Sequence, residues 1–323
     1  MSAATNHQRI DVHAHYLPAG YPEELRKLGI DHPDGMPDFP KWSPELALET
    51  YDKLGIATGM LSVSSPGVCY GDKATARRLA RRVNEAGAES VAKHPRRFGL
   101  FASLPLPLLD ESLEELTYAF DTLHADGIVL MTNAQGTYLG DARFEQIFKE
   151  LNRRKAVAFI HPTSPTCWQQ CAMGYPRPMI EFPFETARAV TNLIFSGTLE
   201  RYSDISLITP HNGGTVPILA SRINMIGSAL RLGPPGTKDA MTYLRRIYYD
   251  TAIGGSKHTL SSLIQLADVS HIVYGSDWPW YREAGALETI NELEHSECFD
   301  DKDRAAIYRT NAIRLLPRIA SLT

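Results

Sequence analysis

The chain has 323 residues, 43% hydrophobic and 22% charged, with a formal net charge of -4. It is long enough for one large barrel or two ordinary domains, and without a long basic block it excludes a nucleic-acid or membrane-surface partner. Cys69, Cys167, Cys171 and Cys298 follow no disulfide spacing, the N-terminus has no apolar leader core, and no apolar run nears the about 18 residues of a membrane span, so a soluble, cytoplasmic protein is expected.

The first candidate strand, RIDVHAH (9–15), ends with His13 and His15. Residues two apart share a strand face, and two buried imidazoles need partners, because an unpaired buried polar group costs roughly 1–3 kcal/mol. A metal ion would satisfy both; a hydrogen-bonded pair is the plain alternative. Ser43 and Pro44 then open a helix in SPELALETYDKLG, followed by the strand ATGMLSVS (57–64). Arg77, Arg78, Arg81 and Arg82 have helical spacing and read as a solvated helix face. RFGLFASL (97–104) precedes a helix whose Ser112 and Glu115 resemble a capping box, and GIVLMTN (127–133) precedes one opened by Asp141. After AVAFIHP (156–162) comes PTSPTCWQQCAMGYPRPMIEFPFETAR, too long for an ordinary connection and expected to cover a mouth. Its CWQQC lacks the second Cys/His pair of a zinc finger. ISLITPH (205–211), RIYYDTA (246–252) and HIVYGSD (271–277) complete eight strands.

Alternating strands and helices imply a parallel sheet. Eight units favour an α/β fold of the (β/α)8 TIM-barrel type, one domain over residues 1–323 with a long insertion after strand five. An open doubly wound sheet would carry a glycine-rich loop after strand one, and HAHYLPAG is not one.

The strand ends are polar: His13 and His15, Ser62 and Ser64, Thr132 and Asn133, His161, His211, Asp250 and Thr251, Asp277. In a barrel they meet at one mouth. His13, His15, His161 and Asp277 supply three neutral nitrogens and a carboxylate, a set suited to Zn²⁺ and tolerant of Mn²⁺. His211 is a fifth ligand or a free acid/base beside the metal. Strand four ends Leu130, Met131, Thr132, Asn133 with no lysine to bridge two metals, so one ion is expected.

HAH, FIHP, TPHNGGTVPILASRI and GSDWPW resemble the amidohydrolase superfamily, in its branch related to aminocarboxymuconate semialdehyde decarboxylase. PKWSPE, DKLGIATGMLSVSSPGV, TNAQGTYLGD and FKELNRRKAVAFIHPTSP resemble the 6-methylsalicylate decarboxylases, over nearly the whole chain. The resemblance implies His13, His15, His161 and Asp277 as metal ligands, and His211 as an unligated catalytic residue. It also implies a homodimer in which Arg222 binds the substrate carboxylate in the neighbouring subunit's site. The chain departs from that branch in having no arginine between Arg26 and Arg77, which favours a monocarboxylate.

The expected activity is non-oxidative, metal-dependent decarboxylation of an ortho-hydroxylated aromatic acid, with Asp277 or His211 as proton donor and no organic cofactor. A metal-dependent hydrolase of a lactone or amide is the alternative. Trp42 and Trp168 are expected at the substrate, with Tyr175, Phe182, Trp278 and Trp280 as further aromatic candidates.

Overall fold

A computed structural model describes residues 9–322; the N-terminal stretch read for a leader lies almost wholly outside them. Eight parallel strands form one sheet in sequence order: β1 (Arg9–His15), β2 (Ile56–Ser62), β3 (Phe98–Ser103), β4 (Gly127–Met131), β5 (Val157–His161), β6 (Ser206–Thr209), β7 (Tyr248–Asp250) and β8 (Ile272–Val273). The last strand is far shorter than the expected HIVYGSD (271–277). Beyond Val273 the chain still closes the barrel by backbone bonds: Val12 N donates to Tyr274 O (3.0 Å), Asp277 N to His13 O (2.8 Å) and His15 N to Trp278 O (2.8 Å). The molecule is therefore a (β/α)8 barrel, as the strand count implies.

The connecting helices bury apolar stripes against the outside of the barrel. Ser43 caps the helix Pro44–Leu54 by accepting from Leu46 N (3.2 Å), and Gly55 ends it in the left-handed conformation (φ 63°). Ser112 is not a cap: the helix Leu109–Asp121 starts earlier, and its Glu115 instead receives Asn84 Nδ2 and Arg81 Nε. The basic cluster is paired on its helix face, Arg77 with Glu114, Arg81 with Glu115 and Arg82 with Glu24. Strand four stops at Met131, and Asn133–Ala134 pairs with Thr137–Tyr138 in a small antiparallel hairpin. The long segment after β5 is shorter than expected, because its tail is already the crossover helix Glu181–Phe195.

Inside the barrel, Ile10, Val12, Met60, Phe101, Val129, Phe159 and Ile208 form an apolar cluster that also takes in Leu315, Leu316 and Ile319 of the C-terminal segment. Arg318 anchors that segment at the start of β3 and just before β4, through Phe98 O (3.0 Å) and Asp126 (2.7 and 2.8 Å). One end of the barrel is thus plugged, and the end carrying the histidines is left for chemistry. No helix among the described residues is long and apolar enough to cross a membrane.

Candidate metal centre and active site

Strict alternation would place His13 opposite Ile10 and Val12, away from the barrel interior. The register between β1 and β2 instead shifts between Asp11 and Ala14, a bulge that turns the strand end. His13 thereby meets Phe159 of the interior (ring centroids 4.9 Å). Buried Asp11 holds the shift in place by accepting from His13 N and Ser276 N, both at 3.0 Å, and from Ser276 Oγ. The β8 end closes tightly on this strand because residue 275 is glycine: a Cβ there would lie 2.8 Å from His13 Cβ and 3.0 Å from Asp250 Cγ.

The metal-binding set is brought together. Ligand atoms of His13, His15, His161 and Asp277 all lie within 4.8 Å of one another, and all four residues are buried. Each histidine is held by an acceptor at Nδ1. His13 Nδ1 faces Asp250 Oδ2 (2.8 Å), His15 Nδ1 the Ser62 carbonyl (3.1 Å) and His161 Nδ1 the Pro162 carbonyl (2.7 Å). Carbonyl and carboxylate oxygens accept, so the proton resides on Nδ1 and every Nε2 presents a lone pair. Burial lowers the proton affinity of His13 and His161, which keeps both neutral. His13 Nε2 and His15 Nε2 then stand 3.0 Å apart, where two lone pairs repel unless a cation lies between them. Asp277 Oδ1 closes the group, 3.4 Å from His13 Nε2 and 3.2 Å from His15 Nε2. Three pinned imidazoles, one carboxylate and a second buried carboxylate behind His13 fit a divalent cation.

His211 stands beside this group. Its Nε2 lies 3.4 Å from the other Asp277 oxygen, and its backbone N donates to Asp250 Oδ1 (2.9 Å). Burial pulls its proton affinity down, but the hydrogen bond to Asp277 and the charges of Asp277 and Asp250 outweigh that and raise it. For Asp277, burial works against ionisation; His13, His15 and His211 overcome it and hold the carboxyl well below the usual range. Both residues sit in the left-handed region, His211 at φ 55° and Asp277 at φ 58°. Non-glycine residues reach it at about 1–3 kcal/mol each, so the surrounding contacts must hold these two in place.

The cluster opens into a cavity of about 400 Å³ whose walls include Met36, Met179, Phe182, Ile253, Trp280 and Tyr281. Among the aromatic candidates, Phe182 and Trp280 line it. Trp42 packs on Tyr16 (5.8 Å) and Trp278 on Tyr51 (5.9 Å), Tyr175 is exposed, and Trp168 lines a different cavity under the Arg177 guanidinium (4.3 Å). Arg222 is exposed, away from its own chain's cavity. Asp250 and Ser62 are legible in the sequence as polar strand ends, but not as the partners of His13 and His15. The roles of Asp11 and Gly275 are not legible there, although GSD beside a histidine-bearing strand signals a close approach.

The sequence pattern of the amidohydrolase family matches residues 10–318, and the chain belongs to that family. It is similar to the 6-methylsalicylic acid decarboxylase of Aspergillus aculeatus, 38% identical over 324 residues that cover 96% of each chain. Of solved structures, one described as an amidohydrolase II superposes with TM-score 0.91 at 31% identity, covering 96% of this chain and 99% of that one. A 2,6-dihydroxybenzoate decarboxylase complexed with 2,6-dihydroxybenzoate superposes with TM-score 0.80 at 26% identity, covering 95% and 98%.

Proposed function

We propose that the protein is a metal-dependent, non-oxidative decarboxylase of an ortho-hydroxylated aromatic monocarboxylate of the 6-methylsalicylate kind. The observation that carries this is the set of three pinned Nε2 lone pairs and Asp277, with His211 alongside, at the floor of a largely apolar cavity. Its relatives' activities, decarboxylation of 6-methylsalicylic acid and of 2,6-dihydroxybenzoate, match that chemistry.

A divalent metal held by His13, His15, His161 and Asp277, zinc by preference and manganese as the alternative, would supply a positive centre for the substrate's carboxylate and phenol oxygens. Phe182, Met179 and Trp280 pack the ring and exclude water. The His211 and Asp277 pair holds one proton between Nε2 and Oδ2 and delivers it to the carboxyl-bearing ring carbon as the ortho oxygen feeds electrons into the ring. Breaking the C–C bond then returns the electron pair to the ring and releases CO₂, leaving the phenol. Atoms and charge balance with one proton consumed and no redox partner.

Arg222 completes the reading as the carboxylate ligand of a partner's site in a homodimer. Its guanidinium has no ion pair or hydrogen bond among the described residues, and its helix exposes Ile218 (75%) and Met225 (64%) on the same face. Four free thiols agree with a reducing, cytoplasmic compartment.

The deciding assay supplies metal-reconstituted protein with 2-hydroxy- and 4-hydroxybenzoates and measures CO₂. Release from the ortho isomers alone is expected; equal rates overturn the reading. For the dimer, Arg222→Ala and Asp277→Ala chains refolded together should regain roughly a quarter of wild-type activity by random pairing, and a dead mixture overturns it.

A further inference from the structure

The barrel mouth holds a second cavity, of about 420 Å³, which contains none of the metal-cluster residues and shares only Asp34 with the first. A partition of hydrogen bonds separates the two. Ser65 Oγ meets Thr163 Oγ1 at 2.7 Å, Ser164 Oγ donates to Asp34, and Arg177 Nε donates to Ser164 Oγ at 3.0 Å. The floor lies over the ends of β3 and β4 and is apolar, with Leu104, Leu106, Met131 and Ala134.

Ser103 and Arg177 on its walls carry unused hydrogen-bonding groups. Ser103 is 3% exposed, and its Oγ has no hydrogen-bond partner among the described residues. Arg177 is half-buried, its guanidinium lying on the Trp168 ring at 4.3 Å. Of its five N–H donors only that on Nε is used, and it forms no ion pair among the described residues. The loop after β1 is shaped to admit it: at Gly35, in the left-handed region at φ +79°, a Cβ would lie 2.6 Å from Arg177 Nη1. Asp34, the one acidic group on the wall, is engaged by Ser164, and burial pushes its carboxyl above the usual range.

We propose that this cavity is a second ligand site, for a small monocarboxylic acid with an apolar body, independent of the metal. A rigid guanidinium with free paired N–H groups matches a carboxylate. Arg177 is the one guanidinium or ammonium on the wall, and the other basic group there, His32, has its Nδ1 against the Pro37 carbonyl (2.9 Å), which suits one negative charge rather than a phosphate. The apolar floor takes the body of the acid, and the volume falls within the about 300–1,000 Å³ of small-molecule pockets.

The test is calorimetric titration of the chelator-treated full chain with benzoate and, separately, hexanoate. Neither can report decarboxylation, so the outcome is independent of the proposed activity. One equivalent of at least one acid is expected to bind, and which one binds tells a planar from a flexible body. Arg177→Gln should weaken binding by about tenfold or more, as for loss of a charged hydrogen-bond partner. Arg177→Lys should recover part of it, and Arg222→Gln should leave it unchanged. If Arg177→Gln fails to fold, Ser103→Ala is read instead, with about fivefold weaker binding expected from the lost hydroxyl. No binding of either acid, binding indifferent to both Arg177 and Ser103, or binding lost with Arg222→Gln alone overturns the proposal.

Discussion

Strands β1, β5, β6, β7 and β8 end in or run straight into His13, His15, His161, His211, Asp250 and Asp277, whereas β2, β3 and β4 end in Ser62, Ser103 and Met131. The first group is titratable and packed together: Asp250 holds His13 in one tautomer, and Asp277 faces His13, His15 and His211, while backbone carbonyls hold His15 and His161. The second group offers neutral hydroxyls, carbonyls and apolar side chains. Its side chains meet the first at Ser62 beside His15 and at Ser64 Oγ beside His161 Nε2 (3.3 Å), and its backbone at Thr132 N, which donates to the His161 carbonyl (2.9 Å). The difference shows how one barrel mouth divides its work. Charged groups in contact shift one another's proton affinity, so concentrating them on one side sets up reactive chemistry. Neutral groups on the other side can change shape without disturbing that balance, which leaves room for the second cavity.

The two halves differ most in what is lost when the titratable one is stripped. Chelation, or His161→Ala, should cost roughly 10³-fold or more in CO₂ release, since it removes the positive charge that stabilises the oxygens. Restoring about one zinc or manganese per chain to the chelated wild type should restore the rate, and elemental analysis checks the stoichiometry. Two tightly held ions per chain would contradict a site built from four ligands. Next in size is His211→Ala. The loss should be ~10²–10⁴-fold, the range for a general acid/base, while the variant still binds its metal. A metal-free variant would make His211 a ligand instead.

Much of this division was legible in the chain. HAH, FIHP, TPH and GSD stand at the ends of apolar runs, and the run count alone implied a barrel whose mouth collects them. What could not be read is what depends on contacts between distant residues. The shift that turns His13 inward is fixed by Asp11 against Ser276, which lie 265 positions apart, and by the missing side chain at Gly275. Nor does alternation reveal that β8 ends at Val273 and closes by loop bonds, because the apolar run continues past it. In the segment after β5, Trp168 looked like a ring-stacking residue for substrate. Its partner is instead the cation Arg177, placed there by a turn at Gly35 that lies far away in sequence.

The two smallest effects compare the halves directly, because each removes the partner of one metal-binding imidazole. Asp250 gives His13 Nδ1 a carboxylate acceptor from the titratable side, and no other hydrogen bond among the described residues holds that nitrogen. Asp250→Asn keeps the shape but loses the charge, and it should weaken metal affinity by about 10–100-fold, as for outer partners of metal-bound histidines. Ser62 serves His15 Nδ1 from the neutral side, with two acceptors at once, the backbone carbonyl at 3.1 Å and Oγ at 3.0 Å. Ser62→Ala removes only the second. The carbonyl remains, the tautomer stays fixed and no charge changes, so metal affinity should fall by no more than about threefold. Competition of each variant against a chelator of known affinity measures both losses on one scale. Equal losses would mean that acceptor charge counts for nothing at this centre, and that the two halves of the mouth do not differ in the way their side chains imply.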